Sequence, residues 1–302
     1  MRVNLLNGCG VALVCVLSLG AVAWVGAARS RPQPPPPGAA QVADHAGRSV
    51  AVQPWQRIAS VSMTSDAALL ATCAPDRVVC WSAFSTGPDA FRLSGPRLNG
   101  LDDLEAIIAL RPDLVLVSTY GGEADRIGRL RDAGLTVFEL GAMEGLASLR
   151  RDFLQVGALV GHPQRAERAI NALERRMHRI AAHLPADQRP GAVYVAPIGE
   201  VLFGGTTGTS YHDVITAAGL TDLAAASGRT GWPQYSVEQV LALRPAIVVT
   251  KIGSEEALRR LPGFSQLSAR IVAVDAELLE DPGPAMLEAA EALHAAVFAN
   301  AP

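Results

Sequence analysis

The chain has 302 residues, of which 49% are hydrophobic and 18% charged. This is a globular composition, and the chain is long enough for two domains of ordinary size. The formal net charge is −3. Because proteins that bind nucleic acids normally present a basic face, this charge argues against a nucleic-acid partner.

Residues 1–28 predict a signal peptide or an N-terminal membrane anchor. From residue 3 onward this segment carries no charged side chain, and Val25, Gly26 and Ala27 suit cleavage by signal peptidase. An uncleaved anchor remains an alternative, because the apolar run is long enough to span a bilayer. Residues 29–56 follow as a proline-rich linker and lead-in. Both alternatives predict a periplasmic or other extracytoplasmic location for the rest of the chain.

The first predicted lobe covers residues 57–145. Its sequence alternates between two kinds of segment: predicted strands at 57–62, 78–81, 114–118 and 136–140, and predicted helices at 65–73, 101–110 and 121–133. This alternation is typical of a parallel sheet covered by helices.

Residues 146–190 predict two helices between the lobes, at 146–160 and 164–184. The second of these has one apolar stripe at helical spacing, formed by Ala166, Ile170, Leu173, Met177 and Ile180, and its opposite face is charged. We therefore expect a long amphipathic helix that bridges two lobes.

The second predicted lobe, residues 191–302, repeats the order of the first. We predict strands at 191–196 and 271–275, helices at 211–218, 255–261 and 284–299, and a glycine-rich loop at 204–208. The predicted fold class is therefore α/β, with two Rossmann-like lobes whose parallel sheets are bridged by a long helix.

One phrase occurs in both lobes. Residues 104–117 read LEAIIALRPDLVLV, and residues 237–250, which begin 133 positions later, read VEQVLALRPAIVVT. Each copy predicts a helix that proline stops, followed by a strand of branched residues buried on both faces. This repeat indicates two related lobes, and two α/β lobes that face each other form a cleft for a ligand.

The carboxyl ends of parallel strands are where open α/β sheets bind ligands. By that rule Met63, Phe84, Tyr120 and Lys251, which follow predicted strands, are candidates for the cleft wall. Ordinary loop packing is the alternative for each of them.

The second lobe supplies four more candidate ligand-binding residues. Trp232 lies in a predicted loop between glycine and proline, and Tyr235 is expected at the start of the next helix, close to it. Tyr211 and His212 follow the glycine-rich loop at the start of a predicted helix. The alternatives are packing within the lobe for the aromatic residues and a satisfied polar position or helix cap for His212.

The sequence lacks the usual signatures of catalysis and of metal binding. It contains no GxSxG or HExxH motif and no paired carboxylates in a plausible site, and the glycine-rich loop lacks the lysine of a phosphate-binding P-loop. No pair of histidines has ligand spacing on one face of a helix or strand. We therefore expect no enzyme, no resident metal and no cofactor. Cys73 and Cys80 are either a disulfide or two buried thiols.

Residues 57–66, 76–79 and 104–117 resemble the first lobe of the periplasmic binding proteins for cobalamin and iron chelates. Residues 232–242, WPQYSVEQVLA, are similar to a second-lobe segment of the cobalamin-binding members. The resemblance covers roughly residues 57–298, and the repeated ALRP unit is its most specific part.

The resemblance implies a monomeric class III binding protein, in which a rigid helix joins the lobes. Such a protein would capture a metal chelate, either a ferric siderophore or a cobalamin-like corrinoid, and deliver it to an ABC permease in the inner membrane. The family docks on its permease through a glutamate at the outer tip of each lobe, and Glu105 and Glu238 occupy those positions here.

Two alternatives accompany this interpretation. Both glutamates fall in the first turn of a predicted helix, where the helix dipole stabilises a carboxylate without any docking role. The same fold could also serve a haem or metal-chelate sensor, or a scaffold without a transport role, because fold alone does not fix function.

Overall fold

The computed structural model describes residues 38, 40–85, 94–119, 121–199, 201–280 and 283–299. The chain divides into Met1–Gly38 and Ala39–Pro302, and the helices and strands of the structure belong to the second unit. Tyr120 and the predicted signal or anchor segment lie outside the described residues. In the described part of the chain, no helix has both the length and the apolar character needed to cross a membrane.

An antiparallel hairpin of β1 (Gln41–Ala43) and β2 (Ser49–Ala51) leads into the first sheet. This sheet is parallel and has the order β5–β4–β3–β6–β7. Its strands are β3 (Ile58–Ser60), β4 (Val78–Ser82), β5 (Arg97–Leu98), β6 (Leu114–Ser118) and β7 (Val137–Leu140). The helices of this lobe are α1 (Met63–Thr72), α2 (Leu104–Leu110) and α3 (Ala124–Asp132).

The central strand β6 shows why the sheet is buried on both faces. Leu114 and Leu116 belong to one hydrophobic core, and Val115 and Val117 belong to another. None of the four side chains is more than 1% exposed. A continuous run of branched residues therefore forms a strand with no solvent face, as the sequence predicted.

Two helices connect the sheets, α4 (Leu146–Leu159) and α5 (Pro163–Ile180). The bridging helix α5 ends at Ile180, earlier than predicted, and its 18 residues span about 27 Å. It packs against α1, against the neighbouring helix α4, and against two helices of the second lobe. Gly157 of α4 permits the close approach, because a Cβ atom at this position would collide with the Cβ of Ala166.

The second sheet contains β8 (Gly191–Ile198), β9 (Val201–Gly204), β10 (Thr221–Asp222), β11 (Gln234–Tyr235), β12 (Ile247–Lys251) and β13 (Arg270–Val274). Its order is β11–β9–β8–β12–β13, with β10 also paired to β8. The second-lobe helices are α6 (Ser210–Ala217), α7 (Leu223–Ala226), α8 (Val237–Leu243), α9 (Glu255–Arg260), α10 (Ala276–Glu280) and α11 (Ala285–Phe298). Of these, α6 and α11 are the two that contact the bridging helix.

The prediction of a wholly parallel second sheet was wrong in one part. Strands β8, β10, β12 and β13 are parallel, but β9 runs antiparallel to β8, and β11 runs antiparallel to β9. Gly199, with φ of 61°, lies in the turn that sends the chain back along β8. The short β9 ends at Gly204, the first residue of the segment that was predicted as a glycine-rich loop.

Cys73 and Cys80 are buried free thiols, so the structure shows the second of the two alternatives. Burial raises the pKa of the Cys80 thiol to about 12, which keeps it protonated and unreactive.

Candidate ligand-binding site

Three aromatic rings form a stack that runs from the second sheet to the protein surface. Tyr194 of β8 stacks on Tyr211 of α6, with 4.0 Å between the ring centroids and 27° between the planes. Trp232 meets Tyr211 edge-on, at 5.2 Å and 84°. The tyrosines are 3% exposed, whereas Trp232 is 61% exposed. Two buried rings therefore support one exposed indole, and we call these three residues the aromatic stack.

Gly205 makes the aromatic stack possible. A Cβ atom built on Gly205 would lie 2.5 Å from Cδ2 of Tyr211, closer than real side chains come. The bare backbone at this position lets the Tyr211 ring lie flat against the chain, where it also reaches Tyr194. Gly204 and Gly205 therefore make room for aromatic rings. In a phosphate-binding loop, glycines would instead leave the backbone amides open to a ligand.

Tyr235 lies on the other face of the same sheet. Its ring packs against the empty Cβ position of Gly204 and belongs to the hydrophobic core of Val193 and Val195, whereas Tyr211 belongs to the core of Tyr194. Tyr235 is 4% exposed, with the guanidinium of Arg229 5.4 Å from its ring centroid. The prediction that Tyr235 begins a helix was wrong, because Tyr235 belongs to strand β11 and pairs with Leu202 of β9. The structure does not bring it together with Trp232.

His212 is held by a buried carboxylate. Its Nδ1 lies 2.8 Å from Oδ2 of Asp222, which also accepts a hydrogen bond from the Thr206 hydroxyl at 2.6 Å. This hydrogen bond raises the pKa of His212 against the opposing effect of its burial. Burial alone would raise the pKa of Asp222, but the bonds from His212 and Thr206 lower it below its usual value. Asp222 also caps α7 by accepting from the amides of Ala224 and Ala225, so the pair anchors this part of the lobe.

The first lobe presents Phe84 at the end of β4, with 51% of the residue exposed. Met63, at the start of α1, is half-buried. Gly100, with φ of 63°, lies beside Phe84: a Cβ atom there would be 3.8 Å from the ring atom Cε2. Phe84 is thus an exposed aromatic side chain on the first lobe, as Trp232 is on the second.

Hydroxyl groups surround the carboxyl ends of β3, β4 and β6. Ser62 caps α1, and its hydroxyl lies within 3.0 Å of the hydroxyls of Ser65 and Ser118. The buried Asp66 lies beside this cluster and accepts from the hydroxyls of Ser60 and Ser85. Sequence reasoning missed Asp66, although an aspartate in the first turn of α1, close to Ser60, Ser62 and Ser65, was a signal that could have identified it.

Lys251 ends β12, is half-buried and takes part in polar interactions of its own. Its neighbour Ile252 is 66% exposed. The end of β12 therefore combines a cation with an exposed apolar side chain.

The two glutamates predicted to dock on a permease differ in their electrostatics. Glu105, near the start of α2, forms an ion pair with Arg129 at 2.9 Å, in which both side chains are exposed. Glu238, near the start of α8, is fully exposed, and a hydrogen bond with the Ser236 side chain lowers its pKa. The two glutamates occupy matching positions in two matching helices, and Glu105 has a cationic neighbour.

The lobes are tied together where α4 begins. The amide of Leu146 donates to Oδ2 of Asp213 on α6 at 2.6 Å, and burial raises the pKa of this carboxyl. Beside this contact lies a cavity of about 260 Å³, lined by Leu146, Met177, His178, Ala181, Arg189, Asp213, Thr216 and Ala217. The lining contains no member of the aromatic stack, so this cavity is separate from the exposed aromatic positions.

Within the described residues, no group of three or more His, Cys, Asp or Glu side chains is arranged to hold a metal ion. Two exposed side chains that follow strands, Phe84 after β4 and Ile252 after β12, are instead aromatic and apolar. Such surfaces suit an organic ligand with broad apolar faces better than a bare ion.

A family model described as "Periplasmic binding protein" matches residues 58–295. The chain belongs to the periplasmic binding protein family. This membership confirms the resemblance found in the sequence, the fold class and the solute-binding type of protein. The family is one of binding proteins.

Relatives of this periplasmic binding protein are distant. It is 26% identical over 209 residues to the uncharacterized ABC transporter substrate-binding lipoprotein YvrC of Bacillus subtilis (strain 168), and the match covers 65% of each chain, just under two thirds of that relative. It is 25% identical over 243 residues to the vitamin B12-binding protein of Pectobacterium atrosepticum, with 78% of this chain and 86% of the relative covered.

Solved structures show the same fold. A periplasmic heme binding protein from Pseudomonas aeruginosa is 26% identical and matches with a TM-score of 0.65. The match covers 82% of this chain and 94% of that chain.

Proposed function

We propose that this chain is the substrate-binding protein of an ABC importer and that its ligand is a metal chelate with a broad apolar face, of the corrinoid or haem class. The relatives support this proposal, since one is a vitamin B12-binding protein and a similar solved structure is a heme binding protein. Siderophore-type chelates, which are more polar and lack a broad apolar face, fit an exposed indole less well.

The observation that carries the proposal is the exposure of Trp232. Trp232 is 61% exposed, so most of its apolar surface is left in contact with water. Its edge-to-face contact with Tyr211 nevertheless holds the indole in position. An indole that is both exposed and held in place can stack on a flat ligand with little loss of conformational freedom. The aromatic stack thus serves as one ligand wall.

The opposite wall would come from the first lobe. Phe84 is an exposed aromatic side chain among the described residues there, and Met63 lies at the start of the helix that follows β3. A ligand between Trp232 and Phe84 would bury apolar surface on both faces, and Lys251 and His212 would address its polar edge. The mechanism is binding without chemistry.

Delivery to a permease would use Glu105 and Glu238. Both lie in the first turn of exposed helices at equivalent points of the repeat. Charges at the rim of an interface mainly set the encounter rate and the orientation of the partner. Residues 1–28 would direct export to the periplasm, as a cleaved signal peptide or as an anchor.

Fluorescence titration tests the ligand class. A protein starting at Gln41 is titrated with haemin, cyanocobalamin and a ferric hydroxamate, and the emission of its three tryptophans is recorded. We expect saturable quenching by haemin or cyanocobalamin and at least tenfold weaker binding in Trp232→Ala, since a central aromatic contact is worth about 2 kcal/mol or more.

Ile198→Ala is the matched control, because Ile198 is an apolar residue of the same lobe that is also 63% exposed. Its affinity should equal that of the unaltered protein. Equal loss of affinity in both variants, or tight binding of the hydroxamate alone, would contradict the proposed ligand class.

A further inference from the structure

Phe84 lies in a short segment that one buried carboxylate holds from both sides. Asp66 of α1 accepts a hydrogen bond from the amide of Ser82, whose nitrogen lies 3.1 Å and 3.3 Å from the two carboxylate oxygens. It also accepts from the hydroxyl of Ser85 at 2.6 Å. Ser82 and Ser85 flank Phe84, so the exposed ring rises from a segment that is fixed at both ends.

The geometry also ties Phe84 itself to this network. The amide of Phe84 donates to the hydroxyl of Ser82 at 3.1 Å. The hydroxyl of Ser60 donates to Asp66 from β3. The carboxylate therefore connects α1, β3 and the end of β4 at a single point.

A carboxylate in this position is unfavourable for stability alone. Asp66 is 1% exposed, and removing a charge from water carries a large penalty unless hydrogen bonds offset it. A neutral residue could fill the space between α1 and β4 at lower cost. A carboxylate at this position is explained if the position of Phe84 matters for function.

We infer that Asp66 is a positioning residue, which holds Phe84 in the ligand wall of the first lobe. The inference rests on the proposed function, because it assumes that Phe84 contacts the ligand. Asp66 itself contacts no ligand, and its effect on affinity passes through the order of the segment from Ser82 to Ser85.

Protonation should weaken this hold. Burial raises the pKa of Asp66 to about 6, against the lowering effect of its hydrogen bonds with Ser60, Ser85 and Ser82 and of the nearby Arg97. Among the described residues, the Cys80 thiol also interacts with Asp66, and burial keeps this thiol neutral at these pH values. A protonated carboxyl has one acceptor site fewer for the Ser82 amide and the Ser85 hydroxyl.

The first test needs no ligand. Amide hydrogen exchange of peptides covering Ser82 to Ser85 is measured in the unaltered protein, in Asp66→Asn and in Asp152→Asn. Asp152→Asn is the control, because Asp152 is also a buried carboxyl with a pKa of about 6. Its partner is Arg151 on α4 and not the segment of Phe84. We expect at least tenfold faster exchange in Asp66→Asn alone. Unchanged exchange in this variant would overturn the inference.

The second test measures affinity for haemin and cyanocobalamin in Asp66→Asn, Phe84→Ala and the double variant. We expect Asp66→Asn to weaken binding about two- to tenfold, the effect of having to order one loosened side chain on binding. In the Phe84→Ala background the same change should have no further effect. Independent, multiplicative losses would show that Asp66 does not act through Phe84.

A pH series separates positioning from a general structural role. Affinity of the unaltered protein should fall more steeply between pH 7.5 and pH 5 than that of Asp66→Asn, in which the titration of other groups such as His212 remains. Full affinity in Phe84→Ala, or no binding of either probe by the unaltered protein, would count against the proposed ligand site. The exchange experiment would still decide whether Asp66 orders this segment.

Discussion

Arg111 and Arg244 share one backbone conformation, with φ of 48° and 47°, although 133 residues separate them. In the described part of the chain they are the residues other than glycine with positive φ. Each ends a repeat helix, and its amide donates to Ile108 or Leu241 at 3.0 Å. Each also precedes a proline, which disfavours the right-handed helical conformation at the preceding residue. The repeated phrase is thus a repeated three-dimensional unit.

Arg244→Gly should stabilise the protein. A left-handed conformation costs about 1–2 kcal/mol for a residue with a Cβ atom, and glycine removes this cost. The greater entropy of glycine in the unfolded chain offsets part of the stabilisation. We expect the free energy of unfolding in urea to rise by about 0.5–1 kcal/mol. Arg244→Ala is the control, since it shortens the exposed side chain but keeps the Cβ atom, and its stability should stay within about 0.5 kcal/mol. Equal effects of both changes would disprove the strain.

Gly205→Ala should destabilise the protein and disturb the aromatic stack. The new Cβ would lie 2.5 Å from the Tyr211 ring, and overpacking of this kind costs about 1–3 kcal/mol. Near-ultraviolet circular dichroism, together with urea unfolding, measures both effects. Gly128→Ala is the matched change in open space within α3, where alanine should stabilise the helix by about 0.5–1 kcal/mol. An unchanged free energy of unfolding in Gly205→Ala would mean that the Tyr211 ring does not lie against the backbone of Gly205.

Asp152 should make the protein less stable as the pH rises from 4 to 6. Burial raises its pKa to about 6, against the lowering effects of Arg151 and His45, whereas the carboxyl of the unfolded chain titrates near the ordinary value of 3.8. The folded state therefore binds the extra proton between these values, and the resulting stability is complete below pH 3.8 and lost as the pH passes 6. The difference corresponds to about 3 kcal/mol.

Asp152→Asn should remove this contribution. Urea unfolding at half-unit steps from pH 4 to pH 7.5 should show a flatter profile for the variant. Two other carboxyls whose pKa values burial raises, Asp66 and Asp213, should contribute to the slope that remains. Identical profiles for the variant and the unaltered protein would show that Asp152 titrates normally.

Substitution of the tip glutamates should separate delivery from binding. Glu105→Ala with Glu238→Ala should reduce uptake of haemin or cyanocobalamin by about tenfold or more in cells whose native chain is replaced, because the permease loses its oriented partner. Affinity for the probe in solution should not change. Glu256→Ala, another exposed glutamate of the second lobe, is the control and should leave uptake intact.

The single variants should differ from each other. Arg129 already pairs with Glu105, so Glu105 has less to gain from a basic partner than Glu238 does. We expect Glu238→Ala to reduce uptake more than Glu105→Ala. In an Arg129→Ala background, the effects of the two substitutions on uptake should be more nearly equal. Normal uptake in the double variant would favour a sensor or scaffold over a delivery role.

Much of the fold could be predicted because its signals are local. The run from Leu114 to Ser118 was predicted as a strand from its branched residues alone, and the stripe of Ala166, Ile170 and Met177 predicted the bridging helix. Proline and helical periodicity act within a few residues of the chain, so they can be recognised in a single sequence.

The site could be predicted less completely. Trp232 was identified as exposed, since it lies between glycine and proline, but its support by Tyr211 and Tyr194 brings together three distant segments. Tyr235, only three residues further, lies on the opposite face because β11 joins the sheet as an edge strand. A one-residue difference in strand register reverses the face of a side chain, and register depends on the partner strand.

The sequence by itself determined two lobes, a bridging helix, a repeated helix that stops at proline, and the family. Only the tertiary structure decided which aromatic residues share a face, that Cys73 and Cys80 are free, and that Asp66 holds the segment of Phe84. The reason is physical: periodicity and turn residues act over a few positions, whereas burial of a charge and contact between rings depend on segments that meet only after folding.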